Sequence, residues 1–144
     1  MSVRRFSLLL ATLAIGVLGG RPVFAAFPGV NGKLAFSTSR NGAFETYLIN
    51  PGGTNESRLN SAGALPSWNA DGTRIVFQTN RDGNDEIYVM QSDGSNPVRV
   101  TSNLVQDEAP AFSPDGLWVV FHSRRNGAAE IYKIRTNGTN ETRL

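Results

Sequence analysis

Residues 28–144 state nearly the same motif three times, and no other property of the chain limits its fold as much. The aligned copies begin at Pro28, Pro66 and Pro110. Phe36, Phe77 and Phe121 lie 41 and 44 residues apart, and Tyr47, Tyr88 and Tyr132 repeat the same steps. A unit of about 40–45 residues that cannot bury its own apolar face must stack against its neighbours.

The middle copy shows what the unit is made of. Residues 65–69 form a short apolar stretch that ends at Ala70-Asp71-Gly72, a turn in which Asp bonds nearby amides and Gly takes positive φ. TRIVFQT (residues 73–79) is rich in β-branched and aromatic side chains and reads as a second strand. After Asn80-Arg81-Asp82-Gly83-Asn84, residues 85–91 make a third strand, and residues 98–101 a fourth after another Gly-containing turn. Four antiparallel strands joined by hairpins make one propeller blade. Ile75-Val76-Phe77 and Ile87-Tyr88-Val89-Met90 are apolar on consecutive residues, so both faces of these strands must be covered. The outer strand, Val98-Arg99-Val100-Thr101, returns to alternation. Past Phe27 no helical periodicity appears. The expected fold is all-β: β-propeller blades of four antiparallel strands, about three of them, at residues 27–64, 65–108 and 109–144.

Pro-Ala-Phe-Ser-Pro-Asp-Gly at residues 110–116, followed by Val119-Val120-Phe121 and Glu130-Ile131-Tyr132, resembles the WD-repeat-like units of TolB-type β-propellers. The middle copy resembles them equally through Pro66-Ser67-Trp68, Asp71-Gly72, Ile75-Val76-Phe77 and Glu86-Ile87-Tyr88-Val89-Met90. The first copy departs: its first strand shrinks to Phe27-Pro28-Gly29-Val30, and Asn31 replaces the turn Asp. The resemblance implies a ring of six or seven blades, whereas three copies leave two apolar end faces. The chain is therefore expected to be part of a longer propeller, to close a six-bladed ring as a homodimer, or to stand as an open stack of three. For function, the resemblance implies a periplasmic scaffold. Similar propellers also cap prolyl-oligopeptidase-like serine peptidases, so a fragment of such a peptidase, without its catalytic domain, is the alternative.

The N-terminal residues carry a different signal. Arg4 and Arg5 precede an apolar or small-residue run over residues 7–20, and Ala25 closes a small-residue exit. That is the pattern of a secretory signal peptide, here residues 1–25, and the run is too short to span a bilayer. Export to the periplasm or outside the cell is expected, with no permanent membrane span after cleavage. Of the 14 basic side chains, Arg4, Arg5 and Arg21 leave with the signal, so the mature chain carries 11 against 12 acidic ones. Without a basic stripe it lacks the electrostatic footprint of a nucleic-acid binder. No cysteine is present, so stability must come from packing. Asn55, Asn137 and Asn140 begin glycosylation sequons but are read as hairpin-turn residues.

Few residues offer chemistry. His122 is the only histidine, with no G-x-S-x-G elbow or thiol to serve. It is expected to be a polar strand residue at the position of Ser37 and Gln78. Asp82-Gly83-Asn84-Asp85-Glu86 is the densest run of candidate calcium oxygens, but its counterparts in the other copies have lost most of them. Arg40, Arg81 and Arg125 recur five residues before Glu45, Glu86 and Glu130, and an ion pair across each hairpin is expected, with an arginine ring gripping an acidic partner as the functional alternative. Trp68, Phe112 and Trp118 are expected in the core. No catalytic, cofactor-binding or metal-binding residue is assigned. The expected function is an exported, non-enzymatic binding or scaffold module whose partner is another protein or a cell-envelope component.

Overall fold

The computed structural model describes residues 32–60 and 62–144; the signal segment and the stretch expected to give the first blade its innermost strand lie outside them. The described chain is built of strands and turns alone. In chain order the strands are β1 (Leu34–Thr38), β2 (Glu45–Ile49), β3 (Ser57–Asn60), β4 (Ala64–Trp68), β5 (Arg74–Thr79), β6 (Glu86–Gln91), β7 (Val98–Arg99), β8 (Asp107–Phe112), β9 (Trp118–Asn126), β10 (Ala128–Arg135) and β11 (Thr142–Arg143). They form three antiparallel sheets, β1-β2-β3, β4-β5-β6-β7 and β8-β9-β10-β11, each a meander of sequential hairpins. These are three blades of a β-propeller.

The register explains the consecutive apolar residues. Phe77 pairs with Tyr88 and Ile75 with Met90, while Val76 pairs with Val89 and Gln78 with Ile87. Paired residues share a face, so the middle blade has two apolar faces. Ile75, Phe77, Tyr88 and Met90 pack with Leu48, Ala35 and Leu59 of the first blade and with Trp68. Val76, Ile87, Val89 and Val100 pack with Val119, Phe121, Tyr132 and Ile134 of the third, and Phe112 closes that cluster. Each fully buried side chain of this size is worth about 1.5–3 kcal/mol, and most of that energy is available only between blades. Trp68 and Phe112 thus lie where the sequence put them.

Backbone bonds lock the same two seams. The Gly63 amide donates to the Phe44 carbonyl at 3.0 Å, and the equivalent Asp107 amide donates to Asp85 at 2.8 Å. Two residues further on, Leu65 and Ala109 adopt positive φ, 50° and 52°, within register shifts of β4 and β8. These bulges turn one amide out of each innermost strand into the neighbouring blade: Leu65 donates to the Ser37 hydroxyl at 3.3 Å, and Ala109 to Gln78 Oε1 at 2.8 Å.

Three expectations need correction. The outer strand of the middle blade pairs only over Val98–Arg99, and Val98 is exposed while Val100 is buried. Trp118 belongs to neither core cluster. It faces away from the second seam, with Lys133 and Arg135 stacked on its ring at 5.0 and 4.7 Å. The third correction concerns the repeated Arg and Glu residues.

Candidate functional site

The turns joining β1–β2, β5–β6 and β9–β10 lie on one rim with the connections between blades, and here most recurring polar residues gather. Each such turn ends in a positive-φ glycine, Gly42, Gly83 or Gly127, whose amide donates back to residue 39, 80 or 124. The arginine before the turn does not reach across to the glutamate five residues on. It folds back over the aromatic pair of its own blade. Arg40, Arg81 and Arg125 lie 4.7, 4.8 and 4.4 Å from the ring centroids of Tyr47, Tyr88 and Tyr132. Those rings lie against Phe36, Phe77 and Phe121 at 5.9, 5.9 and 5.8 Å, the middle pair tilted and the other two stacked. Arg40 also pairs with Glu56, and Arg125 with Glu141 and, through Nη2 at 2.9 Å, with the buried Asp107.

The glutamates turn instead to the outermost strand. Glu45 meets Arg58 at 2.9 Å, Glu86 meets Arg99 at 2.8 Å and Glu130 meets Arg143 at 2.9 Å. The expected pair across each hairpin is therefore replaced by a pair to the last strand. Glu86 is the most enclosed of the three. It accepts from Arg99, from the Asn103 amide at 2.9 Å and from the Thr101 hydroxyl at 2.5 Å, with Asn84 at 3.1 Å. Asn41 donates to Glu45 and holds its carboxyl below the usual range, as do Tyr47 and Arg58 more weakly, against burial. The sequence signal for the true partners was available: Arg58, Arg99 and Arg143 step by 41 and 44, like every other repeated residue.

These contacts decide the remaining candidates. Asp82 accepts from the Tyr88 hydroxyl and faces Arg99 at 3.6 Å, so two of the three carboxylates in the densest acidic run, Asp82 and Glu86, are held by protein donors. Among the described residues, no group of three His, Cys, Asp or Glu side chains is placed to hold a metal ion. His122 Nε2 lies 2.9 Å from Glu108, both on the outward face of the third blade. Asp85, near Glu108, has its carboxyl pushed up by burial and by that neighbouring charge. Asp71 and Asp115 close the turns on the opposite rim. Thr73 donors hold Asp71 below the usual range, and the Ser113 hydroxyl and Leu117 amide do the same for Asp115. Asn55 and Asn140 take the positive φ expected of turn asparagines, whereas Asn137 does not and instead accepts from the Thr139 amide at 3.2 Å.

What the arrangement offers is surface. On the rim that carries the blade connections, Phe44 and Leu104 are exposed, Leu104 almost completely so. On the opposite rim Val98 and Leu117 are half exposed. The outward face of the third blade presents Ile131, half exposed, where the equivalent Ile87 of the middle blade is fully buried.

The TolB beta propeller domain family matches over residues 60–144. A solved structure assigned as TolB from Agrobacterium tumefaciens is 27% identical with a TM-score of 0.71, the alignment covering 76% of this chain and 41% of that one. TolB from Acinetobacter baumannii is 25% identical with a TM-score of 0.68, covering 78% and 29%. Dipeptidyl peptidase 4 of Porphyromonas gingivalis, at 18% identity and a TM-score of 0.59 over 77% of this chain and 18% of that one, shares the fold. The present chain thus spans less than half the length of each of these proteins. No curated protein matches its sequence.

Proposed function

Because the chain belongs to the TolB beta propeller domain family, we propose that it is an exported, non-enzymatic binding module that meets another protein or a cell-envelope component through a propeller rim. The observation that carries this reading is how the polar repeat residues are used. Arginine, glutamate and tyrosine side chains that would otherwise be candidates for chemistry are committed to holding each blade's strands together. The exposed apolar side chains Phe44 and Leu104 are left on one rim as the contact surface. An exposed aromatic and an exposed leucine on an open rim suit a protein partner better than a small substrate, which needs a concave pocket around it. Export rests on Arg4, Arg5, the apolar run at residues 7–20 and the exit at Ala25.

The test is site-directed photo-crosslinking in the producing cell, with the probe at Phe44 or Leu104 and, as the comparison, at Val98 or Leu117. A discrete crosslinked species from the first pair, recovered from the exported fraction, supports the proposal. Retention in the cytoplasm, or equal crosslinking from both rims, contradicts it. Further blades followed by a G-x-S-x-G segment in the gene downstream of codon 144 would instead favour the peptidase-fragment reading.

A further inference from the structure

The two seams of the stack differ in how one boundary position is filled. Lys33, Arg74 and Trp118 are equivalent, again 41 and 44 residues apart. In the seam between the second and third blades, Arg74 crosses the boundary. Its Nη2 donates to the Gly116 carbonyl at 2.8 Å, and its guanidinium lies 5.4 Å from the Phe112 ring centroid. The fit is close enough that a methyl group on Gly116 would stand 3.3 Å from that nitrogen.

The seam between the first and second blades keeps both receiving groups. Trp68 stands where Phe112 does. Gly72 stands where Gly116 does, in a turn of the same form: φ is 71° against 67°, and each glycine amide donates back three residues, to Asn69 or Ser113. What is missing is the guanidinium donor. Lys33 makes no hydrogen bond or ion pair among the described residues. A cavity of about 470 Å³ opens there, lined by Lys33, Leu48, Arg58, Trp68, Gly72 and Asp93 among others.

We propose that this cavity is a guanidinium site, which takes an arginine side chain from outside into the place that Arg74 fills in the neighbouring seam. A guanidinium stacks its plane on a ring while donating in that plane to a carbonyl, and an ammonium does not do both. Trp68 is a stronger cation–π platform than the phenylalanine of the occupied seam. Asp93 supplies the counter-charge, and donors from Ser95 hold its carboxyl below the usual range. Glu45 meets the charge of Arg58 at 2.9 Å, so Lys33, on an exposed stem, is the one lining cation without a partner among the described residues. The site depends neither on export nor on which rim meets a partner.

The chain has two tryptophans, and the two indole N–H resonances of the isotopically labelled chain report the cavity without a disruptive substitution. Titration with Nα-acetyl-arginine methylamide is expected to shift the Trp68 resonance saturably and to leave Trp118 in place. The lysine analogue should bind roughly tenfold more weakly, and sodium acetate should produce no saturable shift. Lys33→Arg, which fills the slot from within the chain, should weaken binding at least about tenfold while keeping the circular dichroism spectrum and the melt. Free arginine binding as well as the amide assigns the site to the guanidinium itself, and binding of the amide alone assigns it to an arginine within a polypeptide. Equal binding of the lysine analogue, a saturable acetate response or an unchanged affinity in Lys33→Arg would overturn the proposal.

Discussion

Replacing Gly63 by alanine puts one methyl group into the first seam, and the structure fixes what that methyl would meet. Gly63 is buried just before β4, its amide bonded to Phe44 and its carbonyl accepting the Thr46 hydroxyl at 3.2 Å. A Cβ on its backbone would lie 2.7 Å from Phe77 Cδ2 and 3.2 Å from both Phe77 Cε2 and Thr46 Oγ1. Carbon atoms prefer about 3.5–4.0 Å, so the Phe77 ring would have to retreat by most of an ångström. That ring is fully buried among Ile75, Tyr88, Met90 and Leu48. Overpacking of this kind costs about 1–3 kcal/mol. Gly63 does not sit at positive φ, so alanine brings no dihedral strain and recovers about 0.4–1 kcal/mol by restricting the unfolded chain. The expected net loss is up to about 2.5 kcal/mol, or up to roughly 10 °C in Tm. Gly52→Ala is the matched control. Nothing lies within 4 Å of its added Cβ and its φ is unremarkable, so it should be neutral or stabilising by up to about 1 kcal/mol. Urea melts followed by fluorescence and circular dichroism measure both variants, with the slope unchanged. If Gly63→Ala is as stable as Gly52→Ala, the seam is not tightly packed and the reasoning fails.

Other perturbations follow from the same contacts. Asp85 is a partly buried carboxyl with a raised pKa, which opposes folding when ionised and ceases to do so as pH falls below the folded value. Asp85→Asn should therefore raise Tm at pH 7, and the gain should vanish near pH 3, as thermal melts at the two pH values will show. Glu86→Ala takes one acceptor from Arg99, leaves the Thr101 hydroxyl and the Asn103 amide without theirs, and should cost roughly 2–4 kcal/mol. Glu130→Ala, at a partly exposed pair, should cost less than about 1 kcal/mol; chemical denaturation will give the order, and a reversed order would contradict the burial argument. Arg74→Lys removes the bond to Gly116 and the planar stack on Phe112, and should cost about 1 kcal/mol in the same assay.

The fold was legible because repetition and the two-sided apolar pattern of Ile75-Val76-Phe77 and Ile87-Tyr88-Val89-Met90 leave few alternatives to stacked blades. The seams were less so. Leu65 and Ala109 occupy positive-φ bulges where glycine would be expected, so neither residue type announces the turn that aims its amide at Ser37 or Gln78. The Arg and Glu roles were misread because spacing along a hairpin gives which side chains are near, not which way each points. Arg40 and Arg125 gain more by stacking on rings of their own blade, and register brings Arg58, Arg99 and Arg143 to the glutamates from the last strand. Trp118 was misread for a related reason. Its equivalents Lys33 and Arg74 face forward from their blades, and so does it, away from the second seam and under Lys133 and Arg135. The cavity at Lys33 could not be seen in one copy alone. It emerges only when the first seam is laid against the second.

The central claim is that stability resides in the seams and that the middle blade, covered on both faces, is the anchor of the stack. Native-state hydrogen exchange of the chain, resolved by strand, tests it directly. The account expects the slowest amides in β5 and β6, with β2, β9 and β10 opening at lower free energy because each of their blades has one seam among the described residues. Equal protection in all three blades, or faster exchange in β5 and β6 than in β9 and β10, would mean that each blade is stable alone and that the seams are not what holds the molecule together.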